Sequence, residues 1–261
     1  MNETETPSWP HSRNSDLEAC GRVEVVLAPG KTGSTAIKMA LRRAGLHPVL
    51  QAHALYRDRA RDDARDPEER AGAWLLAHPP SAQRSWRVVT SVRDPIARAI
   101  SRHFQDLRQS ETGTLSTADC LTGLSQHFIA TLRRPRVLGW KWYDTQLTRA
   151  TGIDVFASSF DHGLGHAEHT GQHVRLFIVR QENLASSASA LGEFFGIDLA
   201  DGLSRENDHR DTEVGQMYEE VLGAFRPPSE YVDRAYRSRT WRHFYSAEEI
   251  QQMRAHWTRP Q

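Results

Sequence analysis

The sequence predicts an α/β fold, a parallel sheet flanked by helices, with a mostly helical C-terminal third. Three observations predict it. Short apolar runs rich in Val, Leu and Ile recur at residues 22–28, 49–50, 86–92 and 174–179, as expected of strands buried on both faces. Stretches of helical spacing separate these runs, so successive strands should lie parallel. The composition is that of a globular chain, 38% hydrophobic and 25% charged over 261 residues.

The elements follow in order. Residues 1–20 are polar and slightly acidic and read as a loosely attached tail, which leaves residues 21–261 as a single domain. Arg22–Ala28 is a strand bounded by Pro29-Gly30. Ser34–Arg43 has helical spacing at Ile37, Ala40 and Leu41, and Gly45 closes it. Val49-Leu50 is a second strand. The mixed-charge run Arg57–Arg70 reads as a solvated helix face or lid. Trp86–Val92 is the next strand, and Pro95 opens a helix over Ile96–Leu107, since proline is tolerated in a first turn. Arg108–Thr117 reads as loop. Helical patterns return over Ala118–Leu132 and Trp140–Ala150. Val174–Val179 is a strand, and Leu184–Phe195 a helix ended by Gly196. The last third carries helical patterns at Glu213–Phe225, Ser229–Arg237 and Ala247–Trp257. Tyr218, Val221, Leu222 and Phe225 share one face and read as core, as do Trp241 and Trp257.

Composition excludes several classes. Basic and acidic residues balance at 33 each, against the basic excess expected of a nucleic-acid or polybasic membrane-surface binder. Cys20 and Cys120 are too few for a disulfide framework or a structural zinc set, and no metal site is expected. No apolar run approaches the roughly 20 residues of a membrane span, and no signal peptide is visible, so the expected location is cytoplasmic. Only three of the 33 basic residues are lysines, Lys31, Lys38 and Lys141, which gives each some weight.

Ligands of such sheets bind outside the carboxyl ends of the strands. The strongest local signal lies there: a strand, then Pro29-Gly30-Lys31-Thr32-Gly33-Ser34-Thr35, then a helix. Glycines let backbone N–H groups turn toward an anion, and the helix N-terminus favours negative charge. Lys31 adds a cation, and Thr32, Ser34 and Thr35 add hydroxyls. The nucleotide-triphosphate version of such a P-loop would need its first glycine at position 25, which is Val25 inside the strand. The shorter loop resembles the 5′-phosphosulfate loop of sulfotransferases that use 3′-phosphoadenylyl sulfate (PAPS). That resemblance implies a later strand ending in Arg, with Ser two helical turns on, to hold the 3′-phosphate. Arg93 after Val88–Val92, and Ser101, stand at this spacing. An Arg fork suits a phosphate dianion.

The resemblance widens to the bacterial family labelled putative capsular polysaccharide synthesis protein, within the sulfotransferase superfamily. It is carried by Gly45–Leu55, Arg93–Asp106, Trp142–Phe160, Arg180–Leu184 and Tyr231–Trp257, including Gly152-Ile153-Asp154-Val155-Phe156 and His243–Ile250. Two positions depart from its pattern. The lysine of a Ser-Lys pair is Arg239, and an acidic position is Gln146. The resemblance implies a PAPS-dependent sulfotransferase with 3′,5′-ADP as product. Its acceptor would be a hydroxyl on a saccharide or small polar metabolite. Lys31 would stabilise the leaving oxygen, and Arg239, in a C-terminal loop with Arg237 and Ser238, would close over the nucleotide.

For the general base the expectation is His53, which follows the second strand at the loop's edge and matches a family histidine. An imidazole titrates near neutrality. His103, His243 and Asp144 are alternatives, and Glu182 is expected to organise structure. The acceptor pocket is expected from the segments Tyr56–Pro80, Arg108–Thr117 and Asp161–Gln172. Two other functions fit the loop: a P-loop nucleotide-dependent kinase, or a non-catalytic nucleotide-binding protein.

Overall fold

The computed structural model describes residues 21–56, 66–109, 116–133, 141–199, 203 and 213–259. The expected N-terminal tail, residues 57–65 of the mixed-charge run and residues 110–115 of the following loop lie outside the described residues.

Five strands form one sheet: β1 (Arg22–Leu27), β2 (Val49–Ala52), β3 (Ser85–Val92), β4 (His166–Thr170) and β5 (Val174–Arg180), in the order β2-β1-β3-β5-β4. The first four in that order pair in parallel, and β4 runs antiparallel to β5. The two-residue periodicity of a strand sends alternate side chains to opposite faces. Val23, Val25 and Leu27 of β1, with Val88 of β3 and Leu176 and Ile178 of β5, enter one core. Val26, Val89, Phe177 and Val179 enter the other. Apolar burial on both faces is why these strands read as continuous apolar runs.

Helix α1 (Ser34–Arg43) covers the second face with α5 (Ala188–Phe195), through Ile37, Leu41, Phe194 and Phe195. The other face is covered by α2 (Pro67–Ala77), α3 (Pro95–Gln109), α4 (Thr117–Arg133), α6 (Glu213–Ala224), α7 (Ser229–Tyr236), α8 (Arg239–Phe244) and α9 (Ala247–Thr258). The expected α/β architecture with a helical C-terminal third is therefore the observed one.

From β1 the chain passes through α1 to β2 on one side, then returns to β3 on the other side of β1. This reversal opens a crevice outside the carboxyl ends of β1 and β3. The loop 28–33 and Arg93 sit at those two ends. A buried ion pair lies toward the opposite end of the sheet: Glu24 accepts from Arg87 Nη2 at 2.6 Å and Nε at 2.8 Å, and Arg87 Nη1 donates to the Phe195 carbonyl at 2.7 Å. A concavity lined by Ser189, Gly192, Glu193 and Gly196–Leu199 is beside that end and away from the crevice.

Four local expectations change. His166–Thr170, read as loop, is the edge strand β4. Its sequence has no alternating apolar face, and the pairing with β5 alone makes it a strand. The helix expected from Trp140 is wound as a π-helix over Tyr143–Thr148, continued by an α turn at Arg149–Thr151. The segment 184–187 is turn, so α5 begins at Ala188, after a 3₁₀ turn at Gln181–Asn183. Arg239, expected in a loop, opens α8 behind Ser238.

Candidate functional site

The site is built on the turn between β1 and α1. Gly33 is the helix N-cap at φ 91°, and no side chain caps α1. A Cβ at Gly33 would meet Leu184 Cδ1 at 2.7 Å, so glycine is required both for the left-handed backbone and for packing under the segment after β5. Lys31 adopts φ 69° without being glycine. A left-handed L-residue costs about 1–2 kcal/mol, a strain retained only where the surroundings impose it. Here Arg93 Nη1 donates to the Lys31 carbonyl at 3.2 Å, and Arg98 Nε donates to the Gly30 carbonyl at 3.2 Å.

Two of the three expected loop hydroxyls are buried. Thr32 donates to the Pro29 carbonyl at 2.7 Å and accepts from Ser91 Oγ at 2.8 Å, so its proton staples the turn. Ser34 accepts from Gln51 Nε2 at 3.3 Å. Thr35 is the exposed member of the set. Thr32 can thus meet an anion through its N–H, whereas Thr35 can offer its hydroxyl.

Arg93 leaves the end of β3 toward the loop. Its Nη2 donates to the Tyr218 hydroxyl at 3.3 Å, and its carbonyl accepts from Trp241 Nε1 at 3.0 Å. Arg93 does not spend its charge on Asp94. Asp94 Oδ1 caps α3 through the Ile96 and Ala97 N–H groups, while Oδ2 accepts from Tyr236 and Trp257. Burial pushes the Asp94 carboxyl up, against the pull of these bonds. Ser101 follows on α3, partly buried, and no hydrogen bond joins it to Arg93.

His53 lies at the end of β2 beside the loop, its ring 3.6 Å from where a Cβ on Gly30 would be. Its Nδ1 donates to the Ala28 carbonyl at 2.9 Å, and its Nε2 faces Glu68 Oε2 at 3.0 Å. A carbonyl only accepts, so Nδ1 is the donor of the first of these bonds. Asp66 caps α2 and so positions Glu68 in the first turn. The π turn fixes the chain after His53. Trp142 Nε1 donates to the His53 carbonyl at 2.7 Å, and Gln146 Oε1 accepts from the Leu55 and Tyr56 N–H groups at 2.8 Å each. Gln146 Nε2 returns a bond to the Tyr56 carbonyl.

The remaining candidates lie elsewhere. Arg239 stacks on Phe156 at 4.2 Å and faces Asp144 at 3.8 Å and Asp154 at 3.6 Å, so its charge turns to carboxylates and not to the loop. His103 faces His127 between α3 and α4, and burial lowers both. His243 packs among Phe156, Phe160 and Phe244, with burial again lowering it. Glu182 accepts from the Asp94 N–H and the Tyr245 hydroxyl, the organising role expected for it. Arg98 and Glu68 are not among the residues the sequence singles out. The spacing Arg93-Arg98-Arg102 offered a signal for the first. Glu68 was hidden in a run that reads as solvated surface.

The crevice therefore gathers an uncapped helix N-terminus, a strained Lys31 turn, Arg93, Arg98 and an imidazole. Such a set can hold an anion and exchange a proton beside it.

A family model described as putative capsular polysaccharide synthesis protein matches residues 135–246, under half of the chain. That span includes the π turn, β4, β5, the Arg180–Leu184 segment and α8, and it excludes the loop after β1, His53 and Arg93. No curated protein and no solved structure matches the chain. No helix among the described residues is long and apolar enough to cross a membrane.

Proposed function

We propose that this protein is a sulfotransferase. It would move a sulfuryl group from PAPS to a hydroxyl of a saccharide or small polar metabolite, releasing 3′,5′-ADP. The observation that carries this reading is the bond from Arg93 to the Lys31 carbonyl, which joins the two elements that would bind anions across the sheet's switch point. A single phosphate needs only one such element. A nucleoside with anionic groups at both its 3′ and 5′ positions uses both. The description of the matched family concerns polysaccharide synthesis, with which a saccharide acceptor agrees.

PAPS, once bound, supplies the activated sulfuryl group. The loop N–H groups, Thr35 and the α1 N-terminus would hold its 5′ end, and Arg93 with Ser101 its 3′-phosphate. The Lys31 ammonium would balance the charge gathering on the leaving oxygen. His53 would take the acceptor's proton at Nε2, with Nδ1 kept in place by the Ala28 carbonyl. That role requires Glu68 to give up its place at Nε2.

The test is thermal unfolding with 3′,5′-ADP, 5′-AMP and ATP with magnesium. Ligand at 100 times its dissociation constant adds about 2.7 kcal/mol of stability. Stabilisation by 3′,5′-ADP above the other two supports the reading. Preference for ATP with magnesium moves the protein to the kinase class.

A further inference from the structure

Arg98 stands on α3, one turn after Asp94, packed near Tyr143 and Tyr231. The carboxylates closest to it in the chain and the crevice are engaged elsewhere. Asp94 serves the α3 cap, Tyr236 and Trp257; Glu182 serves the Asp94 N–H and Tyr245; Asp106 pairs with Arg102 at 3.0 Å. No ion pair joins Arg98 to a carboxylate among the described residues, and its neighbouring charges are two further cations, Arg93 and Arg102. Among the described residues its hydrogen bond runs from Nε to the Gly30 carbonyl, which fixes the guanidinium against the loop. Arg98 is partly buried, and withdrawing a charge from water without a counterion is costly. A carbonyl satisfies one N–H and balances none of the charge.

We infer that Arg98 is an anion-binding residue, its charge completed by a phosphate- or sulfate-type group of the ligand seated on the loop. The inference rests on the proposed function for the identity of that ligand, but not for its charge. Arg98 thereby trades stability of the empty protein for affinity.

The test is thermal unfolding of the full chain with Arg98→Met and Arg98→Lys. Each is melted alone, with 3′,5′-ADP, and with millimolar sulfate against chloride at matched ionic strength. The wild type should be stabilised by anion. Arg98→Met should melt at or above the wild type when empty, and bind at least about tenfold more weakly, the loss of one charge-assisted contact. Arg98→Lys should keep more of the response than Arg98→Met. An empty Arg98→Met that melts well below the wild type, a response left intact, or no advantage of Lys over Met would each overturn the inference. The two claims separate cleanly. A wild type that answers sulfate but not 3′,5′-ADP, with the answer lost in Arg98→Met, upholds Arg98 and sinks the nucleotide reading. An equal 3′,5′-ADP response in wild type and Arg98→Met does the reverse. A wild type that answers neither anion overturns both.

Discussion

Arg93 donates from Nη1 to the carbonyl of Lys31 at 3.2 Å, so the end of β3 grips the only non-glycine residue with positive φ among the described residues. The bond spans 62 positions of sequence and closes the crevice floor between β1 and β3. It also consumes only part of the Arg93 fork.

His53 and Glu68 make separable predictions. His53→Ala is expected to abolish transfer from PAPS while changing 3′,5′-ADP affinity less than about threefold, since no phosphate contact is removed. Glu68→Gln removes the anion facing Nε2 and should retain turnover. Loss of turnover in Glu68→Gln equal to that in His53→Ala would assign proton transfer to the carboxylate instead.

Gln146 holds both N–H groups that follow His53. Gln146→Ala leaves them without that acceptor and should cost about 1–3 kcal/mol, with faster amide exchange at Leu55 and Tyr56. Gln146→Glu keeps the accepting oxygen and loses only the bond to the Tyr56 carbonyl. Its amides should stay protected, and equal exchange in both variants would contradict this account.

Stability should fall on mild acidification. Burial lowers His103 and His127 in the fold, with Asp106 opposing the shift in both. Below the ordinary value of about 6.5, the unfolded chain takes up protons that the folded chain refuses. The histidine contribution is therefore complete above that pH and lost as pH falls below it. Melting points at pH 7.5 and 5.5 should differ less in a His103→Gln, His127→Gln double variant than in the wild type. The difference should not vanish, because burial also lowers His169 and His243.

Glu24→Ala strands the buried Arg87 guanidinium and should cost about 3–5 kcal/mol in urea unfolding. The pair lies at the far end of the sheet from the crevice, so 3′,5′-ADP affinity should not change. A weakened affinity would mean that strain at one end of β1 reaches the other.

The parts of the fold that were legible in the sequence are those whose burial is symmetric. β1, β3 and β5 are apolar on both faces, and α1 carries one apolar stripe closed by glycine, so local pattern and tertiary demand agree. β4 and the π turn were not legible. β4 owes its conformation to a single neighbour, and the π turn to the contacts that Trp142 and Gln146 make about 90 residues back in the chain. At the site, the loop, Arg93 and His53 could be read because each follows a strand. The burial of Thr32 and Ser34 could not, because Ser91 and Gln51, which engage them, come from other strands. The turn of Arg239 toward Asp144 and Asp154 was hidden for the same reason.

The most direct test of the two-element crevice is calorimetric titration of 3′,5′-ADP and 5′-AMP into wild type and Arg93→Ala. The wild type should prefer 3′,5′-ADP, and Arg93→Ala should lose about 1.5–3 kcal/mol on 3′,5′-ADP and little on 5′-AMP. Equal affinity of the wild type for the two nucleotides, or an equal loss on both in the variant, would contradict it.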